Sequence, residues 1–163
     1  MKTLLLLRHA KSSWNDPDLA DHDRPLNKRG RGDAPRMGQL LRHNNIVPEL
    51  ILTSTAKRAR KTARRVADSA FYKGPIEEIG DLYLAGVGTF IQVLNGIGSE
   101  HQSVLLVGHN PGIEDLLEML TGTFEVLPTA ALAHLNVPVE KWVEVSTETQ
   151  GELLNLWRPR ELP

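Results

Sequence analysis

Short uninterrupted apolar runs alternate along the chain with segments whose apolar residues recur every three or four positions. Leu4–Leu7 is continuous, the pattern of a strand buried on both faces. Residues 11–26 are polar and carry Pro17 and Pro25, which predicts a loop. Asn27 is placed to cap a helix running to about Asn44, with Met37, Leu40 and Leu41 facing inward. Pro35 lies inside this segment and weakens the expectation for its first half. Leu50–Thr53 reads as a second strand. Ala59, Ala63, Val66, Ala67 and Ala70 then recur at helical spacing, predicting a helix from about Thr55 to Ala70. Ile76–Ile79 reads as a third strand, and Phe90, Ile91, Leu94 and Ile97 mark a third helix. Val104–Val107 is again continuous and is ended by Gly108. Ile113, Leu116, Leu117 and Leu120 mark a fourth helix with Pro111 near its start. Ala130–Val137 and Leu153–Trp157 read as two further strands.

This alternation predicts an α/β fold, a three-layer α/β/α sandwich around a mostly parallel central sheet. At 163 residues, with no repeat or linker, the chain is expected to form a single domain over 1–163. Its 40% apolar and 24% charged residues exclude a disordered chain. The net charge of −1 argues against a general nucleic-acid binder. The absence of cysteine excludes disulfides, thiol nucleophiles, iron–sulfur clusters and thiolate zinc sites. The N-terminal run MKTLLLLRHA is too short for a signal sequence or a membrane span, so a cytoplasmic protein with no membrane partner is expected.

In open α/β sheets, ligands bind beyond the carboxyl ends of the strands. Arg8-His9 follows Leu4–Leu7, Ser54 and Arg58 follow Leu50–Thr53, and Gly108-His109-Asn110-Pro111 follows Val104–Val107. Set side by side, these ends form a cationic pocket of two histidines and two arginines. Arginine forks match phosphate oxygens, and a neutral imidazole can serve as nucleophile. Phosphoryl transfer asks mainly for positioning and charge stabilisation, which such a pocket supplies. No cluster of carboxylates and histidines has metal-ligand spacing, so neither a metal nor an organic cofactor is expected.

Leu7-Arg8-His9-Ala10 resembles the Arg-His-Gly signature of the histidine phosphatase superfamily, the phosphoglycerate-mutase-like proteins. Arg58, within Ser54–Ala63, resembles the second arginine of that family, and Val107-Gly108-His109-Asn110-Pro111 its second-histidine motif. The size of the chain and its Arg8-His9-Ala10-Lys11-Ser12 start are most similar to SixA-type phosphohistidine phosphatases. The resemblance runs from Leu4 to at least Leu120. It implies that His9 attacks phosphorus and becomes phosphohistidine, while Arg8, Arg58 and a protonated His109 hold the phosphoryl oxygens. Ser12 and Asn15 stand where relatives place further phosphate contacts.

Two departures accompany the resemblance. Ala10 replaces the usual glycine, which implies that this backbone position does not need positive φ. The general acid is also without a clear equivalent, the candidates being Asp21, Asp23 and Asp81. A phosphohistidine N–P bond needs less acid assistance than an alkoxide, so a missing acid leans toward phosphohistidine. The expected activity is a metal-independent phosphatase acting on protein phosphohistidine. Its partner would be a phosphorylated protein, a histidine-containing phosphotransfer domain among the candidates. A phosphatase for a small phosphate ester and a non-catalytic phosphate-binding signalling module are the alternatives. His43 and His101 read as surface residues, His134 as sheet packing, and His22 as a solvated loop residue. Trp14 stands either at the pocket rim or as a pin for its loop. The basic run from Lys57 to Arg65 reads as a solvated helix face that steers an acidic or phosphorylated partner, with a nucleic-acid patch as the distant alternative.

Overall fold

A computed structural model describes residues 1–163. The strands are β1 (Lys2–Arg8), β2 (Leu50–Ser54), β3 (Ile76–Ile79), β4 (Ser103–Gly108), β5 (Leu132–Val137) and β6 (Glu152–Trp157). The helices are α1 (Lys28–His43), α2 (Lys57–Ser69), α3 (Val87–Asn95) and α4 (Gly112–Thr121). The six strands form one sheet in the order β3-β2-β4-β1-β5-β6. β3, β2, β4 and β1 are parallel, while β5 runs antiparallel to β1 and β6 antiparallel to β5. The fold is thus the expected mixed α/β layered arrangement with a mostly parallel sheet. No helix is long and apolar enough to cross a membrane.

The continuous leucine run of β1 follows from its place in the middle of the sheet. Leu4 and Leu6 join the core shared with Phe90, Leu94, Leu116 and Leu117 of α3 and α4. Leu5 and Leu7 join the opposite core, with Met37 and Leu41 of α1 and the alanine stripe of α2. A strand buried on both faces has no polar side to alternate with. At the edge, β3 is only partly buried and carries Glu77 and Glu78, charges that discourage pairing with another chain.

Helix α1 begins where the sequence predicts. Asn27 caps it, its side-chain oxygen accepting from the Gly30 N–H at 2.9 Å. The helix continues through Pro35 rather than weakening before it. The proline costs one backbone hydrogen bond, and the burial of Ala34, Met37, Gly38 and Leu41 on either side of it offsets that loss. Gly30 lies against the Lys11 backbone, and a Cβ there would collide with the Lys11 carbonyl oxygen. This close approach seats the start of α1 against the segment that follows β1.

Candidate active site

The parallel register of β1 and β4 builds the site. Arg8 pairs with Gly108, so the next residues, His9 and His109, leave neighbouring strand ends at one level. Their rings lie 5.1 Å apart, centroid to centroid, and are tilted by 55°. β2 pairs with β4 on the other side, and its last residue, Ser54, accepts or donates at 2.8 Å to His109 Nε2. Arg58 enters from the first turn of α2.

Hydrogen bonding fixes the tautomer of both rings. His9 Nδ1 lies 2.8 Å from the Ala10 carbonyl oxygen, which only accepts, so Nδ1 carries the proton. His9 Nε2 therefore presents its lone pair to the pocket, where Arg58 Nε donates weakly to it at 3.4 Å. Arg58 Nη2 donates to His109 Nδ1, also at 3.4 Å. A guanidinium only donates, so His109 is protonated at Nε2 and donates to Ser54 Oγ. Burial lowers His9 to a pKa of about 3, with His109, Arg58 and Arg8 adding to the effect. Burial, then Arg58, lowers His109 to about 4. The resemblance implies a His109 that is protonated while it holds phosphoryl oxygens. In this structure it is neutral, because a buried imidazole beside two arginines gains little by adding a third positive charge.

Arg58 is held from behind. Its Nη1 donates to the Asp21 backbone carbonyl at 2.7 Å and its Nη2 to Asp21 Oδ2 at 3.0 Å. Asp21 also accepts from the Tyr83 hydroxyl and, at 3.2 Å, from Arg24 Nε. The Tyr83 hydrogen bond, with Arg58 and Arg24, holds the Asp21 carboxyl down at about 2. Asp21 is therefore an ionised anchor for Arg58, poorly suited to donate a proton near neutral pH. On α2, Thr62 Oγ1 donates to the Arg58 carbonyl at 2.7 Å and accepts from the Ala10 N–H at 2.9 Å. One hydroxyl thus joins the nucleophile loop to the helix that carries Arg58. Ala10 is fully buried, and it is not among the residues with positive φ.

The other expected residues are distributed unevenly. Arg8 and Ser12 line the pocket with His9, Arg58 and His109, in a cavity of about 220 Å³. Asn15 is exposed and outside it, its backbone N–H turned to Ser13 Oγ at 3.1 Å in a local turn. Asp23 is exposed and faces His22 at 3.8 Å. Asp81 lines a separate cavity of about 460 Å³ with Glu77 and Glu100, because the turn after β3 directs it along α3 and away from the histidines. His22 is more than a solvated loop residue. It hydrogen-bonds Thr55 Oγ1 at 2.9 Å and packs edge-on against Tyr83. Trp14 is 71% exposed at the pocket mouth, with the Arg24 guanidinium stacked 3.5 Å from its ring centre. His134 packs in the sheet, stacked on Trp157.

Sequence reasoning missed Tyr83, Thr62 and the Leu127 anchor. Arg8 Nη1 and Asn110 Nδ2 both donate to the Leu127 carbonyl, at 3.1 and 2.8 Å, while its N–H donates to Glu114 Oε2 at 2.8 Å. No local pattern marks residue 127, whose role arises from a contact 119 residues from Arg8.

The chain is similar to known proteins in sequence and in fold. The family profile described as histidine phosphatase superfamily (branch 1) matches residues 4–82. An uncharacterised chloroplastic protein of Arabidopsis thaliana is 35% identical over 152 residues, 88% of this chain and 70% of that one. An uncharacterised protein of Mycobacterium tuberculosis is 37% identical over 150 residues, 85% of this chain and 91% of that one. A crystal structure from Agrobacterium tumefaciens, assigned as the phosphohistidine phosphatase SixA, is 32% identical with a TM-score of 0.83. The match covers 97% of this chain and 98% of that one. The chain belongs to the histidine phosphatase superfamily. The fold alone is shared with a mycobacterial glucosyl-3-phosphoglycerate phosphatase. That match is 15% identical with a TM-score of 0.68, over 94% of this chain and 97% of that one.

Proposed function

We propose that this protein is a phosphatase that removes the phosphoryl group from phosphohistidine in a protein, with His9 as nucleophile and without a metal ion. The observation that carries this reading is the unprotonated Nε2 of His9, met only by the long 3.4 Å contact from Arg58 Nε. It is aimed into the pocket by the Nδ1 contact to Ala10 and stays unprotonated at neutral pH. In the first step a bond forms from His9 Nε2 to phosphorus and the P–N bond of the substrate breaks. The departing imidazole takes the bonding pair and leaves neutral when its other nitrogen already carries a proton. That makes it a better leaving group than an alkoxide and suits a pocket whose nearest carboxyl, Asp21, is ionised. Arg8, Arg58 and Ser12 donate to the phosphoryl oxygens. The incoming dianion lies beside His109 and raises its pKa, so that Nδ1 takes a proton from solvent and donates as well. In the second step a water oxygen bonds to phosphorus, the P–Nε2 bond breaks, and His9 recovers its lone pair as the water proton passes to solvent.

The His9 pocket is sized for the transferred group alone, and the rest of the substrate lies outside it. A cavity of about 220 Å³ holds a phosphoryl group and falls short of the roughly 300–1,000 Å³ typical of sites that enclose a whole small molecule. The exposed Trp14 at its mouth offers an apolar face to a protein surface. A phosphatase for a small phosphorylated metabolite is the second reading, favoured by the fold shared with the glucosyl-3-phosphoglycerate phosphatase.

The test is phosphate release from a ³²P-phosphohistidine protein in the presence of a chelator, with wild type beside His9→Ala. Release by wild type alone, with an acid-labile and base-stable label trapped on the enzyme, is expected. Full activity in His9→Ala overturns the mechanism. Far higher kcat/KM on a panel of phosphate esters moves the assignment to the second reading, and binding without turnover on either substrate moves it to a phosphate-recognition module.

A further inference from the structure

A second cavity, of about 450 Å³, adjoins the His9 pocket and shares Arg8, Lys11 and Thr129 with it. Its wall has no hydrophobic residue and carries five cations, Arg8, Lys11, Arg29, Arg158 and Arg160, against one carboxylate, Glu161. That carboxylate is already paired, 3.6 Å from Arg158 Nη1, and Glu125 lies 3.2 Å from Nη2 of the same arginine. Arg29 pairs with Asp33 at 3.5 Å. Lys11 and Arg160 make no ion pair. Arg8 Nε is buried without an acceptor, although the same guanidinium donates to Leu127 through Nη1. Uncompensated cations crowded into a polar cavity repel one another, and an anion brought among them relieves that repulsion. The apolar part of the wall is confined to Pro128, Pro159 and the side-chain stems of the basic residues.

We propose that this annex binds a second anionic group carried by the same substrate whose phosphoryl group reaches His9. The proposal rests on reading the His9 pocket as the phosphatase site. Arg8 lines both cavities, so a substrate with two anions bridges them through one side chain. The second anion is a carboxylate flanking phosphohistidine in a polypeptide, or a second phosphate on a small molecule. Both share the chemistry that the arginines recognise, and they differ in which probe the protein prefers.

Binding measured by calorimetry, independent of turnover, separates these outcomes. In one arm a stable phosphohistidine-analogue peptide carries Asp and Glu flanks or Ala flanks. In the other arm, propane-1,3-diol bisphosphate is compared with propyl phosphate. The member of one pair that carries the second anionic group is expected to bind wild type roughly tenfold tighter than its partner, as befits added charge-assisted contacts. Arg160→Glu, an exposed substitution, should reduce that ratio to below about twofold by opposing the anion. Arg64→Glu, on the far side of α2, should leave it intact. A preference confined to the peptide arm assigns the anion to the polypeptide, and one confined to the bisphosphate arm to a small molecule. The proposal is overturned by equal binding within both pairs. It is equally overturned by a ratio that Arg160→Glu and Arg64→Glu reduce alike, since that reflects long-range charge only. Should wild type release no phosphate from phosphohistidine and still show the preference, the annex stands and the assigned reaction fails.

Discussion

Arg58 is the residue on which the site converges. Its guanidinium reaches His9, His109 and both oxygen types of Asp21 at once, which only a rigid planar fork can do. Arg58→Lys keeps the charge and loses this geometry. It is expected to lower kcat/KM by about 100-fold with little loss of fold, read from steady-state kinetics beside a urea titration. Asp21→Asn weakens the anchor and leaves the chemical groups in place. Its expected effect is a fall in kcat of roughly tenfold, on the scale of a misplaced catalytic group. The pH-rate profile should be unshifted between pH 5 and 8, because Asp21 is already ionised throughout that range. A general-acid role would instead remove the alkaline limb of the profile. The two buried histidines also set the acid stability. The unfolded chain takes up a proton on each near pH 6.5, while the folded protein resists until about 3 for His9 and about 4 for His109. Stability is therefore full above pH 6.5 and falls on acidification, down to about pH 4 for His109 and on to about pH 3 for His9, by up to roughly 1 kcal/mol per pH unit for each ring. Urea unfolding of His9→Gln should show a shallower decline over this window than wild type. Identical slopes would mean that the His9 ring titrates normally in the folded state.

The elements place these residues by register and by close approach. The sequence shows that Arg8-His9 and Gly108-His109 each follow an apolar strand, and the pairing of β1 with β4 turns that likeness into contact. A slip of one residue would turn His9 and His109 to different levels of the sheet. The start of α1 is held against the catalytic loop by the Asn27 cap and by the bare backbone of Gly30. Asn27→Ala is expected to cost about 1 kcal/mol, the usual value of a lost cap. Gly30→Ala should cost about 1–3 kcal/mol, as overpacking does, and also lower activity, since the displaced Lys11 backbone belongs to the loop after His9. Equal stability of Gly30→Ala and wild type in urea would show that the loop yields without strain. Helix boundaries were readable in the chain to within a few residues because caps and periodicity are local. The loop between β1 and α1 was not readable, because its Asp21 turn and its Ser12 bridge to Leu26 depend on partners elsewhere.

For the whole molecule, a net charge of −1 conceals a strong asymmetry. Helices α1 and α2 together carry eleven Lys and Arg against Asp33 and Asp68, while the rest of the chain carries eight against eighteen carboxylates. Both helices lie on one side of the sheet, and the outer face of α2, opposite its alanine stripe, is basic. On the proposed function, an acidic phosphoprotein approaching this side is expected to be steered toward the pocket at the start of α2. Its KM is expected to rise severalfold between about 50 and 500 mM salt, while that of N-phosphoimidazole changes little. Equal salt dependence for the two substrates would remove steering from the account. The sequence by itself determined the layered α/β class, the two-faced burial of the central strands and the identity of the four cationic or imidazole groups. Those properties reside in local patterns, in which apolar runs mark buried strands and short motifs mark their ends. Only the tertiary structure decided that Asp21 anchors Arg58, that Asn15 and Asp81 lie outside the pocket, and that burial lowers the pKa of His109. Each of these depends on burial and on partners distant in the chain, because a proton's affinity is set by the space around it and not by the residues beside it in sequence.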